Sequence, residues 1–167
     1  YFGRKIVCEI EPGRRFVAGC GYLVGEVRAL NHTFNEERKR LDYVLTNIGF
    51  CHLLRPMAYG SYHPMSVVPH AEPPTECREM VVGGPLCESG DIFTQEEGGF
   101  VSPRSLPVAQ TGDYLVIECA GAYGAVMGSN YNSKPHAAEV LVTGGAAELV
   151  RQRQSSEDLF RNDRIPG

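Results

Sequence analysis

The sequence has no tryptophan and, among 167 residues, only three lysines, at positions 5, 39 and 134. It also lacks a basic excess: 16 Lys+Arg stand against 20 Asp+Glu, a formal charge of −4. Nucleic acid held by bulk charge is therefore not expected. No apolar run approaches the roughly 20 residues of a membrane helix. The longest candidate, Tyr114 to Met127, is broken by Glu118 and several glycines, so no membrane partner is expected. The opening residues lack the charged region and apolar stretch of a secretory leader. The chain starts at Tyr1 rather than Met, which points to a processed product or a fragment.

Paired cysteine motifs are missing too. The six cysteines, at 8, 20, 51, 77, 87 and 119, form no C-x-x-C and have no histidine at zinc-like spacing, so no metal site is expected. Their even number allows a disulfide scaffold. Yet the chain is long enough for a real core, and several cysteines lie inside apolar strand-like runs. Buried free thiols in a reducing, cytoplasmic compartment are the expectation for most of them.

Glycine (19) and proline (11) punctuate the chain often, leaving short segments that suit strands better than a helical bundle. Strands are predicted over 4–10, 22–30, 42–48, 63–68, 78–82 and 114–120. Residues 15–20 read as a short helix, 32–40 as a charged hairpin tip, and 49–60 as a loop with one helical turn. Two further loops are expected over 83–91 and 98–111. Glu139 to Arg151 reads as a hairpin around Gly144-Gly145. The tail from Gln152 is expected to fray, except where Asp158-Leu159-Phe160 docks. The predicted class is mainly β: a small Greek-key-like β-barrel or sandwich with short helices.

Four segments join permissive glycines to polar side chains. Glu11-Pro12-Gly13-Arg14 offers free backbone N–H groups and a bidentate cation for an anion, or is a plain turn. Arg55 and Tyr59, four apart, form a carboxylate clamp or decorate the surface. Cys87-Glu88 places a thiol beside a carboxylate, which suits proton transfer; a structural loop is the alternative. Gly121-Ala122-Tyr123-Gly124 lets the backbone approach a ligand, or buries a tyrosine at a strand end. The Gly19-x-Gly21-x-x-x-Gly25 spacing is not a dinucleotide fingerprint.

In this order the runs EPGR (11–14), LLRPMAYGSYHP (53–64), GPLCESGD (84–91), GAYG (121–124), SNYNSKP (129–135), AEVLV (138–142) and EDLF (157–160) resemble the C-terminal half of the diaminopimelate decarboxylase family. These are pyridoxal-phosphate enzymes of the alanine-racemase-like class. The resemblance covers essentially the whole chain. Decarboxylases of other basic amino acids share the EPGR-type and cysteine segments; Glu88-Ser89 and SNYNSKP favour the diaminopimelate branch.

The resemblance implies an N-terminal (β/α)₈ barrel, of which residues 1–20 would be the last strand and following helix, and a C-terminal β-domain over 21–167. Pyridoxal 5′-phosphate would sit at the barrel mouth as a Schiff base with a barrel lysine that is not in this chain. Glu11, Pro12, Gly13 and Arg14 would hold its phosphate, with Tyr123 beside cofactor and substrate. Arg14, Arg55 and Tyr59 would bind the substrate carboxylate, Glu88 the distal ammonium group, and Cys87 would be the proton donor. The family works as a homodimer, with the Cys87-Glu88 loop reaching the partner's site. The isolated chain is expected to be inactive without the barrel. The competing readings are a non-catalytic dimerisation module and a decarboxylase of another basic amino acid. The sequence departs from the family pattern at Asn47-Ile48-Gly49, His52 and Lys134.

Overall fold

The computed structural model describes residue 3 and residues 6–166. Eight strands form. β1 (Leu23–Phe34), β2 (Arg40–Thr46), β3 (Met65–Val68), β4 (Cys77–Gly83), β5 (Arg104–Pro107) and β6 (Tyr114–Ile117) make one sheet, ordered β3-β6-β1-β2-β4-β5. β7 (Glu139–Thr143) and β8 (Ala146–Arg151) make a separate hairpin. The helices are short: α1 (Gly13–Val17), α2 (Arg55–Tyr59) and α3 (Ser156–Phe160). The mainly β class with short helices is the one the residue pattern predicts.

The large sheet curls into an almost closed barrel, and β1 makes this possible. Residues Leu23 to Glu26 of β1 pair with β6, whereas Val27 to Phe34 pair with β2, with a register shift between Val27 and Ala29. An extra residue in one strand bends it and adds twist, so one long strand serves both halves. At the open seam, Arg104 on β5 donates from Nη1 to the carbonyl of His63, just before β3, at 3.0 Å. Its guanidinium lies 3.8 Å from the centre of the Tyr62 ring. One side chain thus ties the two edge strands together.

Inside the barrel, Val27, Val44, Ile48, Leu53, Met80, Val82, Phe93, Leu106, Leu115 and Ile117 form the main cluster. The alternation in β6, with Leu115 and Ile117 in and Tyr114 out, follows the two-residue period of a strand. β2 and β4 are parallel, so their connection must cross over; that crossover carries α2 and β3.

Several expectations need correction. Residues 6–10 form no strand: they pair with nothing described, and Ile6, Val7 and Ile10 are exposed. Residues 4 and 5 of that expected strand lie outside the described residues. A strand, β5, occupies the expected loop 98–111. In the tail, Ser156 and Glu157, expected to fray, join the excepted Asp158-Leu159-Phe160 in α3, whose Ser155 and Asp158 make a reciprocal capping box. The cysteines are free, but only Cys51 is buried; Cys8, Cys20, Cys77 and Cys87 are exposed and Cys119 is intermediate. Only Cys77 lies in a strand, as the first residue of β4; the other thiols outside the core sit in turns, loops or a single helical turn, where an apolar neighbourhood does not bring burial.

The hairpin prediction holds, with Gly144 and Gly145 both at positive φ, as its tight turn requires.

The segment ahead of β1 is fastened to the barrel by glycine. The Ala120 N–H donates to the Gly21 carbonyl at 2.8 Å and the Gly121 N–H to the Ala18 carbonyl at 3.1 Å. A Cβ on Gly21 would lie 2.3 Å from the Gly121 Cα. Backbone cannot yield as a side chain does, so Gly21→Ala is expected to destabilise the domain by about 1–3 kcal/mol, read as a lowered Tm in thermal unfolding.

Candidate functional site

The predicted residues fall into two groups. The first gathers around Arg55. Pro56 presets the first turn of α2. Gly60 ends the helix in the left-handed region, where its N–H reaches the carbonyls of Arg55 and Pro56. No side chain fits at position 60, because a Cβ there would lie 2.0 Å from the Glu97 nitrogen.

So held, the Arg55 guanidinium lies 5.1 Å from the Tyr59 ring centre and 5.0 Å from that of Tyr123. Two aromatic faces brace one cation. Arg55 donates from Nη2 to Ser61 Oγ at 3.3 Å, while its Nε is buried with no partner among the described residues. A buried guanidinium N–H without an acceptor is costly, and it marks this arginine as ready for an anion.

Tyr123 reaches this place at a backbone cost. Its φ is +64°, unusual for a bulky residue and typical of functional sites. The glycines beside it allow a close approach: a Cβ on Gly121 would sit 2.0 Å from the Val17 carbonyl oxygen. The Tyr123 hydroxyl in turn lies against Gly13, where a Cβ would be 3.4 Å away. The Glu11–Arg14 turn and the GAYG turn therefore meet, although 110 residues separate Gly13 from Tyr123.

His63 lies in the same neighbourhood. It is fully buried, and Nδ1 is 3.0 Å from the Glu118 carbonyl. Burial pushes its pKa below the ordinary histidine value, and the cations of Arg14, Arg55 and Arg104 push it the same way against the Glu118 carbonyl. With the imidazole neutral and Nδ1–H given to the carbonyl, Nε2 is an acceptor without a described partner. Sequence reasoning passed over His63 because a lone histidine carries no spacing signal.

The second group is the 84–91 loop. Glu88 accepts from Ser89 Oγ at 3.2 Å and the Gly90 N–H at 3.4 Å through Oε1, and from the Tyr131 hydroxyl at 3.3 Å through Oε2. These donors, the Gly90 N–H foremost, hold its carboxyl below the usual range. Cys87 beside it is exposed.

Asp91 shapes this loop, and sequence reasoning gave it no role. It is buried and accepts from the Phe50 N–H at 2.7 Å and the Leu86 N–H at 2.8 Å. Gly84 and Gly49 make room for it: a Cβ on Gly84 would fall 2.2 Å from Asp91 Oδ2, and one on Gly49 2.7 Å from Oδ1.

No hydrogen bond or ion pair joins Cys87 or Glu88 to Arg14, Arg55, Tyr59 or Tyr123 among the described residues. Met57 of α2, between Arg55 and Tyr59, lies against the loop at Gly90, where a Cβ would be 3.2 Å from its Cγ. A surface hollow of about 140 Å³ between Leu30, His32, Arg40, Asp42, Tyr43 and Arg78 contains none of the predicted site residues. No helix among the described residues is long and apolar enough to cross a membrane.

Residues 16–121 match the family model described as pyridoxal-dependent decarboxylase, C-terminal sheet domain. The chain is 48% identical to diaminopimelate decarboxylase of Escherichia coli K12, over 96% of this chain and 38% of that protein. A crystal structure of a diaminopimelate decarboxylase superposes with a TM-score of 0.80 at 46% identity, covering 89% of this chain and 35% of that one. The M. jannaschii enzyme in complex with L-lysine gives 0.78 at 32% identity, covering 93% and 32%. The chain thus spans about a third of the length of these relatives. With most of the barrel inside the matched region, the chain belongs to the pyridoxal-dependent decarboxylases, whose C-terminal sheet domain it carries.

Proposed function

We propose that this domain is part of a decarboxylase that converts meso-2,6-diaminopimelate to L-lysine and CO₂ in the cytoplasm. In this reading residues 1–20 belong to a (β/α)₈ barrel and 21–167 form the β-domain. The observation that carries the reading is Arg55: braced by two tyrosines and left with a buried Nε that has no partner among the described residues. Such a cation is a prepared receptor for a carboxylate.

The same corner fits pyridoxal phosphate. Glu11, Pro12, Gly13 and Arg14 would hold its phosphate: the start of α1 has no side-chain cap and Arg14 supplies a cation, although the Gly13 N–H is itself donated to the Glu11 carbonyl at 2.8 Å. Tyr123 would line the ring. When bound, this cofactor supplies a cationic ring that takes up the electron pair left as CO₂ departs.

This chain's residues do the rest. Arg14, Arg55 and Tyr59 bind and orient the substrate carboxylate. The Glu88 carboxylate, kept ionised by its three donors, accepts the distal ammonium group. Cys87 delivers the proton from Sγ to the α-carbon that has lost its carboxylate. The Cys87-Glu88 loop makes no hydrogen bond or ion pair with the Arg55 group among the described residues, and a homodimer in which each subunit lends that loop to its partner's site would bring the two together.

Substrate range tests the proposal. The whole enzyme, loaded with pyridoxal phosphate, is expected to release CO₂ from meso-diaminopimelate and not from L-ornithine or L-arginine. Glu88→Gln is expected to raise KM for diaminopimelate by about tenfold or more, the loss of an ionic hydrogen bond. Equal turnover of all three substrates would refute the assignment.

A further inference from the structure

The SNYNSKP run has no role in the chemistry above, yet it is built at a cost. Asn132 and Ser133, both non-glycine, are consecutively left-handed at φ +54°, a conformation that only surrounding structure can enforce. The run is pinned on both sides. The Ser129 N–H donates to the Cys51 carbonyl at 2.9 Å. Asn130 Nδ2 donates to the Lys134 carbonyl at 2.9 Å and to Gln154 Oε1 at 2.7 Å.

What this framework presents is Tyr131. Its ring packs on Phe50 with centres 4.9 Å apart, and its hydroxyl donates to Glu88 Oε2. Phe50 is itself fixed by Asp91, which closes the loop that carries Glu88. The result is a circuit: Asp91 sets Phe50, Phe50 sets Tyr131, and Tyr131 sets Glu88.

We propose that Tyr131 is a positioning residue for recognition of the substrate's distal ammonium group, acting through Glu88. A carboxylate has about four lone-pair directions. Ser89, Gly90 and Tyr131 occupy three of them, so one direction remains for an incoming N–H. The tyrosine thereby narrows the site to a single cationic donor at a fixed place. This deepens the reading given under Proposed function and rests on it.

The test is Tyr131→Phe in the whole enzyme, which keeps the ring on Phe50 and removes only the hydroxyl. KM for meso-diaminopimelate is expected to rise by about fivefold to tenfold, with kcat changed less than about twofold. L-lysine, tested as a competitive inhibitor, should weaken by the same factor. In a Glu88→Gln background the same change should have no further effect, because the coupled partner is gone. Unchanged KM and L-lysine inhibition in Tyr131→Phe, with both raised in Glu88→Gln, would overturn the positioning role and leave the decarboxylase reading standing. A fall in kcat or Tm without a change in KM would also overturn it. If Glu88→Gln changes neither constant, the underlying assignment of Glu88 fails as well.

Discussion

Cys87→Ala in the whole enzyme is expected to lower kcat by about 10²–10⁴, the usual contribution of a positioned proton donor. KM for diaminopimelate should stay within about twofold. The reason lies in the division of labour across the site. Carboxylate binding falls to Arg14, Arg55 and Tyr59, and ammonium binding to Glu88; the thiol touches neither charge. Cys87 is exposed at the tip of a loop that Asp91 fixes from behind. Alanine therefore removes the Sγ proton without disturbing the frame. Steady-state kinetics and exchange of solvent deuterium into the product check this. A change confined to KM would remove Cys87 from the role of proton donor.

Asp91→Ala is expected to cost about 3 kcal/mol of local stability, because two buried N–H groups lose their acceptor together. Amide hydrogen exchange reads it directly: protection at Phe50 and Leu86 should fall by about 10²-fold. The pH dependence has a defined sign. Burial raises the Asp91 pKa above its ordinary value of 3.8, outweighing the two N–H donors. Between that value and the higher folded one, the folded chain binds more protons than the unfolded chain. Its stability therefore falls as pH rises through that window, and the fall should vanish in Asp91→Ala. Unchanged protection at both amides would mean that Asp91 does not organise the loop.

The parts of this fold that could be read from the residues are those decided locally. β6 alternates cleanly and follows Gly112-Asp113. The Gly144-Gly145 turn fixes the last hairpin. Arg55 and Tyr59 sit one helical turn apart, and the glycines around Tyr123 announce a close backbone approach. The misreadings are of features decided at long range. β5 has only four residues, ends on Pro107 and owes its existence to pairing with β4. Residues 6–10 have a strand's composition but no described neighbour to pair with. The apolar segments around the cysteines suggest burial, whereas most of these thiols lie in turns and loops that long-range packing leaves outside the barrel. Asp91 could not be recognised, because its partner Phe50 is 41 residues away and offers only a backbone N–H.

The strand order carries a consequence for how the polypeptide is made. β6 lies between β1 and β3 yet follows both in the chain. During synthesis from the N-terminus, the β1–β2 ribbon can form early, but its other edge stays bare until residue 117 has left the ribosome. For most of its translation the domain therefore exposes a row of unpaired amides open to wrong partners. The last short strand of the barrel works as its clasp.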